Sequence, residues 1–167
     1  MQYSEAKNKF IQSWGSLGSS WGISRTMAQI HAILLLSPES MTADQLIGEL
    51  KISRGNVSMS LKSLIEWGIV TKEYKPGERK EYFVAEKDIY RVATQIAQER
   101  RKRELAPVIH MLESIKDFEI EKTAKSRGEE LKKVSTQLLD FAKKSNSILQ
   151  KFISAEKNWF FNKLMKM

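Results

Sequence analysis

At Gly68 the spacing of apolar residues changes from three and four to two, and that switch restricts the possible folds more than any other feature of the chain. Three amphipathic stretches precede it. Met27, Ile30, Ile33, Leu34 and Leu36 follow Ser24; Leu46, Ile47 and Leu50 follow Thr42; Val57, Leu61, Leu64 and Ile65 follow Ser53. Each has a helical period behind a hydroxyl residue whose oxygen can accept from the free N–H groups of a helix start. Beyond Gly68, "IVTKEY" and "RKEYFV" are β-rich runs separated by "KPGE", where Pro76 and Gly77 build a turn.

The flanking segments are helical. Residues 2–22 place Phe10, Ile11, Trp14, Leu17 and Trp21 near one stripe, with Gly15, Gly18 and Gly22 at spacings of three and four. Glycine costs a helix about 1 kcal/mol relative to alanine. Either a second backbone comes close there or the helix ends early. From Asp88 the chain returns to helix and stays largely helical to the end, with interruptions expected near Pro107 and Gly128. Helix, short helix, a turn at Lys51 and Ile52, helix, hairpin is the order of a winged helix-turn-helix. The expected class is mainly α, with a two-stranded β-hairpin wing and long terminal dimerisation helices. The expected divisions are an N-terminal helix for dimerisation and packing over 1–23, the winged helix-turn-helix DNA-binding domain over 24–88, and a helical linker and dimerisation region over 89–167.

The stretch "SRGNVSMSLKSLIEWG" shows what the third of these helices is for. With Ser53 as N-cap and 100° per residue, Val57, Leu61, Leu64 and Ile65 form one core-facing arc. Gly55, Met59, Lys62 and Glu66 lie opposite, with Asn56 and Ser63 beside them, and Arg54 stands at the helix start, able to reach forward. Small residues let a backbone approach a DNA major groove, Asn pairs bidentately with adenine, and Arg pairs with guanine. The free N–H groups of the helix start favour a phosphate oxygen. Taken alone, Ser53-Arg54-Gly55-Asn56 also reads as a solvated helix start, since caps and polar faces are common. The short helix and two-residue turn before it and the basic hairpin after it favour DNA. The hairpin tip adds Lys75, Arg79 and Lys80, suited to the negative minor groove of DNA. Lysine also guards an exposed sheet edge against aggregation.

Charge agrees with this reading without proving it. The 28 Lys and Arg exceed the 20 Asp and Glu by eight, and residues 51–80 carry seven basic and three acidic side chains, half of that surplus. A basic surplus serves nucleic acid, an anionic membrane or solubility alone. The run "RRKR" at 100–103 spreads around a helix, so it is either a solvated segment paired with Glu99 and Glu104 or a flanking contact to phosphates.

Other chemistries find little support. With no cysteine, disulfides, zinc–thiolate sites and thiol catalysis are excluded. His31 sits in the apolar run "AQIHAILLL" and reads as a core histidine; His110 and Glu113 are one turn apart, far short of a metal site. No phosphate loop or hydrolase elbow occurs. We therefore expect no enzyme, no metal and no cofactor. No run approaches the roughly 18 apolar residues of a membrane span, and "MQYSEAKNKF" lacks the apolar core of a signal peptide, which points to the cytoplasm. Trp14 and Trp21, seven apart, are core residues by default, or the walls of a pocket for a quaternary ammonium.

Near the C-terminus Leu131, Val134, Leu138, Phe141, Ser145, Ile148, Phe152, Ala155 and Trp159 recur at alternating spacings of three and four. Leu139, Leu149, Ile153 and Phe160 widen that stripe, so more than one neighbour should cover it. The candidates are the glycine-marked first helix with a second copy of the chain, or a helical hairpin folded back on residues 89–120.

The ordered motifs "WGSLGSSWGISRTMAQIHAILLLSPESMTADQL", "ISRGNVSMSLKSLIEWGIV", "KPGERKEYF" and "ERRKREL" resemble the GbsR group of MarR-type transcriptional regulators, over residues 10–107. The resemblance implies a homodimeric regulator that binds double-stranded DNA, with Arg54, Asn56, Ser58, Met59 and Lys62 on the recognition helix and Arg79 in the wing. MarR-type wings often carry Asp-x-Arg, where this chain has Glu78-Arg79. Some relatives respond to choline-like ligands, so a small-molecule effector is possible here, its identity unknown. The rival reading is a winged helix that binds protein instead of specific DNA.

Overall fold

The computed structural model of the chain describes residues 1–20 and 22–155. Trp21, Trp159 and Phe160 lie outside the described residues, as does the side chain of Ala155. Seven α-helices are present in that range: α1 (Tyr3–Ser20), α2 (Arg25–Leu36), α3 (Ala43–Leu50), α4 (Arg54–Glu66), α5 (Ile89–Arg100), α6 (Ala106–Ser114) and α7 (Lys125–Ala155). Three strands, β1 (Met41–Thr42), β2 (Val70–Tyr74) and β3 (Glu81–Ala85), form one antiparallel sheet in the order β1-β3-β2. The residues divide into two compact units, with the division between Val92 and Ala93.

In the first unit the starts of α2, α3 and α4 are each capped by the hydroxyl residue before them. Ser24 accepts from Met27 N–H, and Ser53 from Asn56 N–H. Thr42 and Gln45 satisfy each other's backbone donors in a reciprocal box. Lys51 closes α3 in the left-handed region at φ 53°, the sharp bend that lets α4 start three residues later. Gly68 ends α4 at φ 70°, with its N–H on Ile65 C=O and the Ile69 N–H on Leu64 C=O, the paired bonds of a Schellman motif. Ile30, Leu34, Leu46, Val57, Leu64 and Val70 are the largest fully buried side chains, so the core lies where α2, α3, α4 and the sheet meet. At about 25 cal/mol per Å², such burial is what holds these short helices in place.

The glycines of α1 mark a close approach to α2. A Cβ at Gly18 would stand 2.5 Å from Ala28 Cβ, and one at Gly15 would stand 2.8 Å from Gln29 Cγ. α1 therefore lies on α2 within the first unit. At this junction the indole N–H of Trp14 donates to Nδ1 of His31 at 3.3 Å, and Phe10 stacks on Trp14. Lys87 donates from Nζ to the carbonyls of Leu34, Leu35 and Ser37, satisfying the open end of α2.

The expected two-stranded wing is the β2–β3 hairpin, and Met41 and Thr42 add a third strand to its sheet against Phe83 and Tyr82. Two residues are too few to show a period of two, and Thr42 is also the cap of α3. In the second unit, Pro107 does not break the helix. A π-helical turn at Arg101–Leu105 leads into α6, where the proline's missing N–H falls in the first turn. The break comes at residues 115–121 instead, and Gly128 lies inside α7, where its missing side chain leaves room for Ile120. Among the described residues no helix is long and apolar enough to cross a membrane.

Candidate nucleic-acid interface

Helix α4 separates its two faces as its sequence pattern demands. Val57, Leu61 and Leu64 are buried, joined by Ser60. Ser53, Arg54, Gly55, Asn56, Ser58, Met59 and Lys62 are all exposed. The outward face thus offers two basic groups, an amide, hydroxyls and one thioether within three turns, around a glycine with open space where a Cβ would be. Met59 is 65% exposed, an apolar side chain that the protomer's own core does not use. Such a group can meet a thymine methyl in a major groove.

Arg54 does not extend freely beyond the helix end. Its terminal Nη2 donates to Oδ1 of Asp44 at 2.6 Å, which ties the first turn of α4 to the first turn of α3. Nothing in the local sequence announces this contact, since the two residues are ten positions apart. Asp44 also lies where the N-terminal dipole of α3 favours a negative charge.

The wing tip is a turn over Lys75–Glu78, closed by the Glu78 N–H on Lys75 C=O at 3.1 Å, with Gly77 at φ 80° behind Pro76. Its acidic and aromatic residues are engaged with one another. The Tyr82 hydroxyl donates to Glu78, which holds that phenol above its usual value. Lys75 lies 4.2 Å over the Tyr82 ring. Lys72 donates to Glu81 at 2.8 Å, and this bond keeps the Glu81 carboxyl below the usual range. Of the three cations expected at the tip, Lys75 is therefore held by its neighbour. Arg79 and Lys80 are exposed and make no ion pair among the described residues.

The "RRKR" run resolves into separate roles. Arg100 takes a two-pronged grip on Glu104 at 3.1 Å, and Arg103 pairs with Glu99 at 3.4 Å. Arg101 turns to Asn146 at 3.2 Å on the facing helix. The solvated, internally paired reading describes these side chains better than a shared phosphate-binding face. Glu113, considered with His110, instead pairs with Lys143 at 2.6 Å.

Helix α7 carries two apolar stripes. Gly128, Ser135, Leu139, Ala142, Asn146, Leu149 and Ile153 are buried or partly buried, and α7 packs on α6 and the π-helical turn. Leu131, Val134, Leu138, Phe141, Ile148 and Phe152 lie roughly a quarter-turn away at 100° per residue. All six are exposed, Phe141 at 71% and Ile148 at 69%. The π-helical turn and α6 therefore cover one side of α7, and Leu131, Val134, Leu138, Phe141 and Ile148, expected to serve dimerisation, are exposed among the described residues. Of the stripe's expected members, Trp159 lies outside the described residues. Trp14 is taken up by Phe10 and His31, with Trp21 likewise beyond description.

Known proteins resemble this arrangement. The family described as "Bacterial regulatory protein, arsR family" matches residues 28–72, which run from α2 through the helix-turn-helix into β2. The "HTH-type transcriptional repressor GbsR" of Bacillus subtilis (strain 168) is 27% identical over 137 residues, 81% of this chain and 76% of that protein. A solved structure titled "Crystal Structure of a transcriptional regulator" shares the fold with a TM-score of 0.66 at 15% identity, covering 91% of this chain and 98% of its own. These relatives are regulators, a non-enzymatic class. With its capped helix-turn-helix, basic wing and these similarities, the chain resembles the GbsR-type winged helix-turn-helix transcriptional regulators.

Proposed function

We infer that the protein is a homodimeric repressor of the cytoplasm that recognises a palindromic operator with paired α4 helices and flanks it with its wings. The observation that carries this reading is the division of α4: Val57, Leu61 and Leu64 are buried, and Arg54, Asn56, Ser58, Met59 and Lys62 are exposed. Asn56 pairs with adenine, Arg54 with guanine, and Ser58, Met59 and Lys62 complete the groove face. Ser53 and Gly55 bring the helix start to a phosphate. Arg79 and Lys80, with Lys75 behind them, contact the backbone or minor groove beyond.

Two copies joined along the open stripe of α7 give the two-fold symmetry that a palindrome needs. Paired recognition helices then meet major grooves about 34 Å apart. A small-molecule effector controls such a repressor if it binds unequally to arrangements that differ in this spacing. The repressor role is the printed role of the B. subtilis relative. The deciding experiment selects the preferred duplex from a random library, then compares affinities for it and for random duplex. Asn56→Ala should weaken the specific complex by about 1–3 kcal/mol and the random complex much less. Equal losses on both would remove Asn56 from base reading. Weak binding to every duplex without steep salt dependence would favour a winged helix that binds protein.

A further inference from the structure

We propose that Asp44 is a positioning residue for specificity: its bond to Arg54 holds the guanidinium in the orientation that reads a base and keeps it off the phosphates. The inference rests on the reading of Arg54 as a base contact. Its basis is the 2.6 Å contact between Arg54 Nη2 and Asp44 Oδ1. The pair is 74% and 62% exposed, so its part in folding is small; exposed ion pairs contribute about 0–1 kcal/mol. Beyond the favour that the start of α3 shows a negative charge, stability therefore gives little reason for pairing this carboxylate with Arg54. Specificity gives one.

The donor count permits both partners at once. An arginine has five N–H groups in a rigid plane, and Asp44 takes one. Four remain, enough for a two-pronged contact to O6 and N7 of guanine. A free arginine samples many rotamers, and ordering one on binding carries an entropic cost. The bridge to α3 orders it beforehand. The carboxylate also adds a negative charge beside the groove, which disfavours indiscriminate attraction to phosphates. Both effects act in the same direction, towards discrimination and away from general affinity. Asp44 is held in turn: it stands in the first turn of α3, whose cap is fixed by Thr42 and Gln45. The bend at Lys51 sets the two helix starts facing each other.

The test is a double-mutant cycle with the full chain: wild type, Asp44→Asn, Arg54→Ala and the pair. Each is measured on the selected duplex, on single-base variants of it, and on random duplex. Asn keeps the shape and removes the charge. Arg54→Ala should narrow the ratio of specific to random affinity on the order of tenfold, the scale of one two-pronged base contact. Asp44→Asn should narrow the ratio by roughly fivefold, with random affinity rising and its salt dependence steepening by up to about one unit. Preference should relax at one base pair per half-site, the same one that Arg54→Ala affects. In the Arg54→Ala background, Asp44→Asn should leave base preference unchanged, and Asp44→Glu should restore part of the ratio in the presence of Arg54. If Arg54→Ala narrows the ratio while Asp44→Asn does not, the positioning role is wrong and the base contact stands. If Asp44→Asn acts equally with and without Arg54, it works through charge or the helix end, and the proposal is overturned. If Arg54→Ala itself leaves specificity unchanged, the base-contact reading fails and takes this inference with it.

Discussion

Acid should weaken the junction between α1 and α2 before it reaches the carboxylates. His31 is 2% exposed, and burial, helped by the positive charge of Lys87, lowers its pKa from the ordinary 6.5 to about 4. The folded chain therefore keeps the imidazole neutral, with Nδ1 accepting from Trp14, whereas the unfolded chain protonates it in the usual range. Protonation would set N–H against N–H at that bond. It would also charge a ring whose Nε2 is buried without a partner. The stability that this neutral ring contributes is fully present above about pH 6.5, declines as pH falls, and levels off below about 4. The gap between the two states corresponds to roughly 3 kcal/mol, a large share of what holds a small domain together. Glu81 and Glu113, both below the usual range because of Lys72 and Lys143, contribute stability that is lost only as pH falls through their lowered values. They act below about 4.5, so the histidine has its own window. Urea unfolding followed by circular dichroism and tryptophan fluorescence, stepped from about pH 7 to about pH 4.5, measures the slope. A His31→Leu variant should start less stable, because Trp14 loses its acceptor, and should lose much less stability across that window. Parallel decline of wild type and variant would refute the argument.

Gly18→Ala should destabilise by about 1–3 kcal/mol in thermal unfolding, because the methyl group would collide with Ala28 Cβ and Ile23. A net gain would mean that α1 can shift away from α2 and collect alanine's helix preference of about 1 kcal/mol. Phe141→Glu with Ile148→Glu should give a folded monomer by analytical ultracentrifugation with far weaker operator binding, since both side chains are exposed in the protomer. An unchanged dimer would move the interface elsewhere. Arg79→Ala should lower affinity for specific and random duplex alike, and reduce the slope of log affinity against log salt by about one unit for each phosphate that Arg79 neutralises. An unchanged slope would take the wing off the DNA.

Much of the first unit was legible because its signals are local. Ser24, Thr42 and Ser53 each stand one residue before a helical period, and each caps that helix. The Pro76-Gly77 turn and the alternating runs beside it specify a hairpin through backbone preferences that act within a few residues. The outward residues of α4 followed from the same logic, since a helix with one apolar arc must expose the opposite side.

Tertiary structure decided what depends on which surface arrives from elsewhere in the chain. Gly15 and Gly18 left a close approach and an early helix end both open, and only the packing shows that α2 makes the approach. The apolar width of α7 required more than one neighbour. Only the fold separates the side covered by α6 from the side left open at Phe141 and Ile148. Strand β1 exists because β3 offers its edge to Met41 and Thr42, not because two residues prefer a strand. Asp44 and Arg54 meet because the left-handed bend at Lys51 turns one helix start towards another. Period, cap and turn are properties of neighbours in sequence, whereas a long-range contact depends on the geometry of every bend between its partners, and that geometry is settled only when the whole core closes.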